Sequence, residues 1–253
     1  MKWRNILVII MLGVFLYSSY QIFSYLYEGW KSDSAYNQIR RQYEEQLQTE
    51  AAATDNITDT AGSSRETSIM ERYKSLLEIN SDLVGWITVP NTVINYPVVQ
   101  SGDNNYYLRR DFNGNRANAG TIFMDYRCDA RCRGKHIILY GHHMRNGSMF
   151  KDLVKYKRED FFQKNGYIRF DTLYEEIEWE VFSVYITEVD FPYGQTAFDS
   201  DEEYITFLEG IKGRSMFEKD IELTEEAQIL TLSTCTYEYD NARLVVHARR
   251  VRE

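Results

Sequence analysis

Short apolar runs recur from residue 84 onward, and most have the composition and spacing of strands. Residues 84–89, 93–99, 121–124, 136–140, 167–170 and 177–187 are rich in Val, Ile, Tyr, Phe and Thr, with Gly, Asn, Asp and Pro between them. Two further runs, 228–235 and 243–249, flank a stretch containing the turn formers Asp240 and Asn241 and so predict a hairpin. Strands joined by turns rather than by regular helices predict a mainly β fold, a barrel or a sandwich. Helical spacing interrupts this pattern in three places. Residues 69–79 put Ile69, Tyr73, Leu76 and Leu77 on one stripe, and 148–156 carries a less regular pattern. Residues 201–211 place Tyr204, Ile205, Leu208 and Ile211 on a stripe behind the cap candidates Asp199 and Ser200. This last helix is an insert before the final hairpin.

Upstream of residue 69 the pattern changes. Lys2 and Arg4 precede an uncharged run from Asn5 to Tyr27. As a helix at about 1.5 Å per residue it spans roughly 34 Å, enough for a bilayer core of about 30 Å. The leading cations place the N-terminus inside the cell. A cleaved signal peptide is the competing reading, but the run is long for one and no A-x-A site follows it. Residues 28–68 are mostly polar. Within them 31–50 predicts a solvated stalk helix, with Tyr36, Ile39, Tyr43 and Leu47 at spacings of three and four, a stripe that also suits oligomerisation. Residues 51–68 lack aromatics and predict a flexible linker. The chain thus divides into a cytoplasmic tail (1–4), a membrane span (5–27), a stalk and linker (28–68) and an extracellular folded domain (69–253).

Composition narrows the function. A net charge of -9 argues against a nucleic-acid partner, because phosphate contacts need clustered Lys and Arg. Twenty tyrosines suit a β domain. Three cysteines rule out a disulfide-stapled scaffold. Cys128 and Cys132 lie among Arg127, Asp129, Arg131 and Arg133, which predicts an exposed loop holding either two free thiols or a bridge.

The third, Cys235, ends the strand 228–235. Side chains alternate along a strand, so Ser233 and Cys235 share a face, and a hairpin brings Arg243 roughly opposite Cys235. A thiol beside a guanidinium at a strand end is a candidate nucleophile, although a lone Cys in an apolar strand is more commonly a small buried hydrophobe. A second strand end supports the first reading: 136–140 runs into Gly141, with His142 just beyond it. A metal site built from Cys128, Cys132, His142 and His143 is the rival. Its C-x3-C spacing is not a standard zinc pattern, and its surroundings are cationic. His136 and His247 lie in strands and read as structural.

Taken together these residues resemble the sortases. Thr231-Leu232-Ser233-Thr234-Cys235 matches the family's TLxTC box, Tyr140-Gly141-His142 its His segment, and Arg243 its strand-borne Arg. The stretches 85–112 and 120–125 are also similar, and the likeness covers roughly 69–251. The helical lead-in and the helical insert before the Cys strand look like class B. The resemblance implies a closed β-barrel of about eight strands and a cysteine transpeptidase without metal or cofactor. Its partners would be an NPxTx-like sorting signal of secreted proteins and a peptidoglycan precursor amine. It implies Cys235 as nucleophile, His142 as proton donor and Arg243 as the residue that positions substrate. It also places Asn104 and Leu108 along the substrate groove; Ser233, on the face of Cys235, either lines the site or fills the sheet, and Tyr193 in the insert is a further substrate-binding candidate. The non-enzyme alternative is a membrane-tethered β-barrel binding module with an inert, buried Cys235.

Overall fold

Two pairs of the strand runs lie parallel, and these pairings let the sheet close. The computed structural model describes residues 2–54, 68–188 and 191–251. Its strands are β1 (Leu83–Thr88), β2 (Asn95–Val99), β3 (Ile122–Met124), β4 (His136–Tyr140), β5 (Tyr167–Thr172), β6 (Glu178–Glu188), β7 (Ile229–Cys235) and β8 (Ala242–Arg250). They form a closed barrel in the order β1-β2-β3-β4-β7-β8-β6-β5. The pairs β2/β3 and β4/β7 are parallel, whereas β7/β8 and β6/β8 are antiparallel.

That topology sets the later chemistry. Because β4 and β7 run parallel, both deliver their C-terminal ends to one rim of the barrel. Because β8 runs back against β7, its first residues start from the same rim. Alternation divides the side chains of β7. Leu230 and Leu232 join Leu244 and Val246 in the barrel core, while Ile229 packs outward with Val245 under the insert. Strand β7 is therefore covered on both faces, which explains why it reads as a continuous apolar run rather than an alternating one.

The insert helix α4 (Asp201–Gly213) supplies the cover. Ser200 caps it by accepting from the Glu203 amide at 3.2 Å, and Tyr204, Leu208 and Ile211 face Phe182, Ile229 and Val245. The lead-in helix α2 spans Glu71–Ile79. The pattern over 148–156 is a 3-10 helix, Phe150–Lys157, followed by a short helix α3 (Glu159–Lys164) that periodicity did not flag.

The N-terminal helix α1 (Lys2–Thr54) corrects the stalk reading. Tyr36, Ile39 and Tyr43 do not face solvent but are buried against the barrel. The Tyr43 ring stacks on Trp86 at 4.0 Å with only 2° between planes, and the Tyr36 hydroxyl donates to the Gly120 carbonyl at 2.7 Å. Arg40 Nε donates to the Asn95 carbonyl at 3.1 Å, and Glu50 pairs with Arg72 at 2.8 Å. The polar background of 31–50 belongs to the helix's outer face. Its aromatic stripe covers apolar barrel surface, a burial that stabilises by about 1.5–3 kcal/mol per large side chain. The apolar part of the helix, from Trp3 to Tyr27, remains uncovered. Of the linker predicted over 51–68, residues 55–67 lie outside the described residues.

Candidate active site

Cys235 is the last residue of β7, and the ladder places it directly opposite Arg243 of β8. On the other side of β7, Tyr140 of β4 stands in register with Ser233. The two parallel strands are tied past their ends: Gly141 N–H donates to the Ser233 carbonyl at 3.2 Å, and the Thr234 hydroxyl donates to the Gly141 carbonyl at 2.7 Å. A Cβ at Gly141 would lie 2.4 Å from Ile122 Cδ1 and 2.7 Å from the Phe150 ring, so only glycine lets β4 turn here. The turn delivers His142 to the rim that carries Cys235.

His142 Nε2 lies 2.7 Å from the Leu108 carbonyl oxygen. A carbonyl only accepts, so Nε2 carries the hydrogen and Nδ1 is the ring nitrogen left for proton exchange. The adjacent histidine does something else. His143 Nδ1–H donates to the carbonyl of Cys235 itself at 2.9 Å, and Lys151 Nζ donates to His143 Nε2 at 2.8 Å. Burial, together with the Lys151 and Lys157 charges, holds His143 below the ordinary imidazole range. His143 is thus a neutral brace behind the thiol's backbone. Arg243 Nη1 donates only long bonds, 3.2 Å to the Ala242 carbonyl and 3.4 Å to that of Asn241. Among the described residues no carboxylate pairs with it, so most of its planar fork is open to a ligand.

These groups line a cleft of about 730 Å³ between the outer face of β4, β7 and β8 and the loop leading into the insert. All seven residues singled out from sequence meet there: Cys235, His142, Arg243, Ser233, Asn104, Leu108 and Tyr193. The buried Tyr193 hydroxyl lies 3.0 Å from Ser233 Oγ and links the loop to the Cys strand. Asn104 is largely engaged by the protein: Nδ2 donates to Asp125 at 3.0 Å, and Oδ1 accepts from the Tyr126 amide at 3.1 Å. Leu108 contributes its side chain to the wall and its carbonyl to His142.

Sequence reasoning missed three further residues here, Asp125, Arg127 and Tyr140. Asp125 is fully buried, and its carboxylate accepts from Arg127 Nε at 2.9 Å, Arg127 Nη2 at 2.7 Å and the Tyr140 hydroxyl at 3.1 Å. Burial alone would raise the Asp125 pKa, but hydrogen bonds from Arg127 and Asn104 hold it below the usual carboxylate range. The one sequence signal was an acidic residue ending a buried strand, two positions before an Arg.

The Cys128/Cys132 loop is corrected. Both thiols are buried and unbridged, and burial pushes Cys128 up to about 12. The neighbouring arginines fan outward, Arg133 to Asp129 and Arg131 over the Tyr174 ring, while the thiols turn into the core. The four residues of the metal reading have separate surroundings: Cys128 Sγ–H donates to the His136 carbonyl, and His143 is occupied by Cys235 and Lys151. Cys235, unlike the other two, is partly exposed.

Comparison with known proteins gives consistent results. Residues 87–251 match the family profile described as the sortase domain. The chain is 34% identical over 247 residues to sortase B of Listeria monocytogenes, covering 97% of this chain and 95% of that protein. It is similar to the structure of a Staphylococcus aureus sortase B–substrate complex, with a TM-score of 0.77, 31% identity, and 89% and 98% of the two chains covered. A sortase B complexed with triglycine superposes with a TM-score of 0.76 at 31% identity, covering 88% and 98%.

Proposed function

The chain belongs to the sortase family, among the class B cysteine transpeptidases of cell-wall anchoring, and from that premise we propose that Cys235, His142 and Arg243 carry out its reaction. The observation that carries this reading is the register Cys235↔Arg243, with His142 leaving the neighbouring strand at the same rim. The Cys235 thiolate attacks the carbonyl carbon of the Thr of a sorting signal, and the carbonyl π electrons move to oxygen. Arg243 donates to that oxyanion and to the peptide backbone. When the oxyanion collapses, the C–N bond breaks, and the leaving amine takes its proton from His142 Nδ1. The enzyme is left as a thioester on Cys235. A second amine then attacks it, gives its proton to His142 and releases the thiolate. The planar fork of Arg243 favours directed hydrogen bonds to the substrate over a role as a mere nearby cation.

The substrate is an NPxTx-like signal of secreted proteins, lying along Asn104, Leu108, Tyr193 and Ser233, and the acceptor is a peptidoglycan precursor amine. Two relatives support this choice of partners, one solved as a substrate complex and one with triglycine, a peptide with a free amine. The uncovered apolar part of α1 is read as a membrane anchor, with Lys2 and Arg4 inside and the barrel outside. Protease applied to intact protoplasts then removes the barrel and spares the anchor; a protected barrel contradicts that orientation.

The test of the chemistry is mass spectrometry of the full-length protein in detergent, incubated with a pentapeptide library. The reading predicts an acyl adduct on Cys235 that disappears in Cys235→Ala. An adduct on another residue, or none on a protein that melts cooperatively, overturns it.

A further inference from the structure

The loop facing Cys235 across the cleft, residues 191–195, has no strand or helix of its own, and its position rests on side chains from elsewhere. Arg127 grips the buried Asp125 carboxylate with Nε and Nη2, and the same Nη2 donates to the Gly194 carbonyl at 3.0 Å. The next carbonyl along the chain, that of Gln195, accepts from His136 Nδ1–H at 2.6 Å. Two consecutive carbonyls of the wall are thus held from β4 and the turn before it. The Gln195 side chain ties the same residue to α4 through Glu203 Oε1 at 2.7 Å.

The His136 bond is the end of a buried chain whose every proton can be assigned. The Gln195 carbonyl only accepts, so His136 Nδ1 is protonated and Nε2 must accept. Thr231 Oγ1, 2.6 Å away, donates to it. Thr231 Oγ1 then accepts from His247 Nδ1–H at 2.7 Å, and His247 Nε2 accepts from the Tyr185 hydroxyl at 2.8 Å. The chain crosses β6, β8, β7 and β4 and leaves no member with a choice of tautomer. Burial keeps both rings neutral, His136 falling to about 4. Thr231 lies four residues before Cys235 on the same face of β7, so the wall is indexed to the strand that carries the thiol.

We propose that Arg127 and His136 are positioning residues that set peptide selectivity by fixing the 191–195 wall relative to Cys235. This deepens the reading of the cleft as a peptide groove and rests on it. Neither residue touches the reacting atoms, so their loss should change which peptide fits more than how fast the thiol reacts.

Two measurements on full-length protein in detergent test it. Hydrogen exchange of the free protein should show the amides of 191–196 exchanging about tenfold faster or more in Arg127→Ala and His136→Gln, with the β7 amides unchanged. Arg127→Lys keeps the charge beside Asp125 but loses the fork that spans Asp125 and Gly194. It should therefore resemble Arg127→Ala. In steady-state assays with a pentapeptide library, KM for the preferred peptide should rise roughly 5- to 10-fold and its margin over single-substituted peptides should shrink, with kcat within about twofold. Unchanged exchange in the wall overturns the pinning, whatever the peptides do. Faster exchange with unchanged selectivity overturns the specificity role, as does a fall in kcat at constant KM. A wild-type protein that takes no peptide sinks the groove reading, and the specificity role with it, while the exchange result still stands.

Discussion

The two sides of the cleft are built on different principles. The side carrying Cys235, Arg243 and His142 is the end of a hydrogen-bonded ladder, in which each strand fixes its neighbour at about 4.8 Å and side-chain direction follows from alternation. The facing wall, 191–195, has no ladder; it is held by the Arg127 and His136 side chains, by the Tyr193–Ser233 bond and by the packing of Phe191 and Tyr193. A ladder cannot shift by one residue without reversing its faces, so Cys235 and Arg243 are locked in mutual register. A wall held by single hydrogen bonds, each worth about 1 kcal/mol net, can change with few substitutions. The proposed chemistry sits on the part that cannot drift, and the proposed selection of the peptide on the part that can.

After the complete loss in Cys235→Ala, the largest effect expected on the rigid side is that of His142→Ala. It keeps the thiol but removes the proposed proton donor, and kcat should fall about 10²–10⁴-fold in steady-state turnover. A fall below about tenfold would place the acid elsewhere. Arg243→Lys comes next and separates charge from direction. Lysine keeps the cation, so a purely electrostatic role beside the thiol would survive; directed donation to an oxyanion would not. We expect a loss of about 10²–10³ in kcat, close to that of Arg243→Ala. Near-wild-type turnover in Arg243→Lys would refute the directed role.

Away from the cleft, Tyr43→Ala should cost about 3–4 kcal/mol of stability by removing the ring stacked on Trp86. The kcat per folded molecule should stay unchanged. Denaturant midpoints check this, and an unshifted midpoint would mean that the helix stripe does not dock in solution. The chain behind the wall adds a pH slope to the stability. His136 falls to about 4 in the fold and His247 lies well below 6.5. Between pH 6.5 and 4 the unfolded chain therefore binds protons that the folded chain refuses. Stability is full above about 6.5 and declines as pH falls through that window. His136→Gln should flatten part of the slope; a wild-type midpoint independent of pH over this range would contradict the burial of neutral histidines.

The same contrast explains what was legible in the sequence. Cys235 at a strand end, Arg243 opposite it and Ser233 on its face follow from period two and one turn, and all are local. The α4 stripe and its Ser200 cap are local too. The parallel pairing of β4 with β7 is not, because nothing in either segment says which distant strand lies beside it. Arg127 and Gly194 are 67 residues apart, and no pattern within either segment announces their contact. The Tyr36–Tyr43 stripe was visible as a stripe, but its partner surface on β1 and β2 was not. At Cys128 and Cys132 the charged neighbours dominated the reading, although the side chains between them point the other way.

Exchange of the insert tests the central claim most directly. Residues 189–228 would be replaced by those of another class B enzyme, and a chimera that melts cooperatively would be assayed for single-turnover acylation of Cys235 across a peptide library. The account predicts that peptide preference follows the insert, while the acylation rate with the matched peptide stays within about tenfold of the parent. A preference that stays with the barrel, or a collapse of acylation for every peptide, would contradict it.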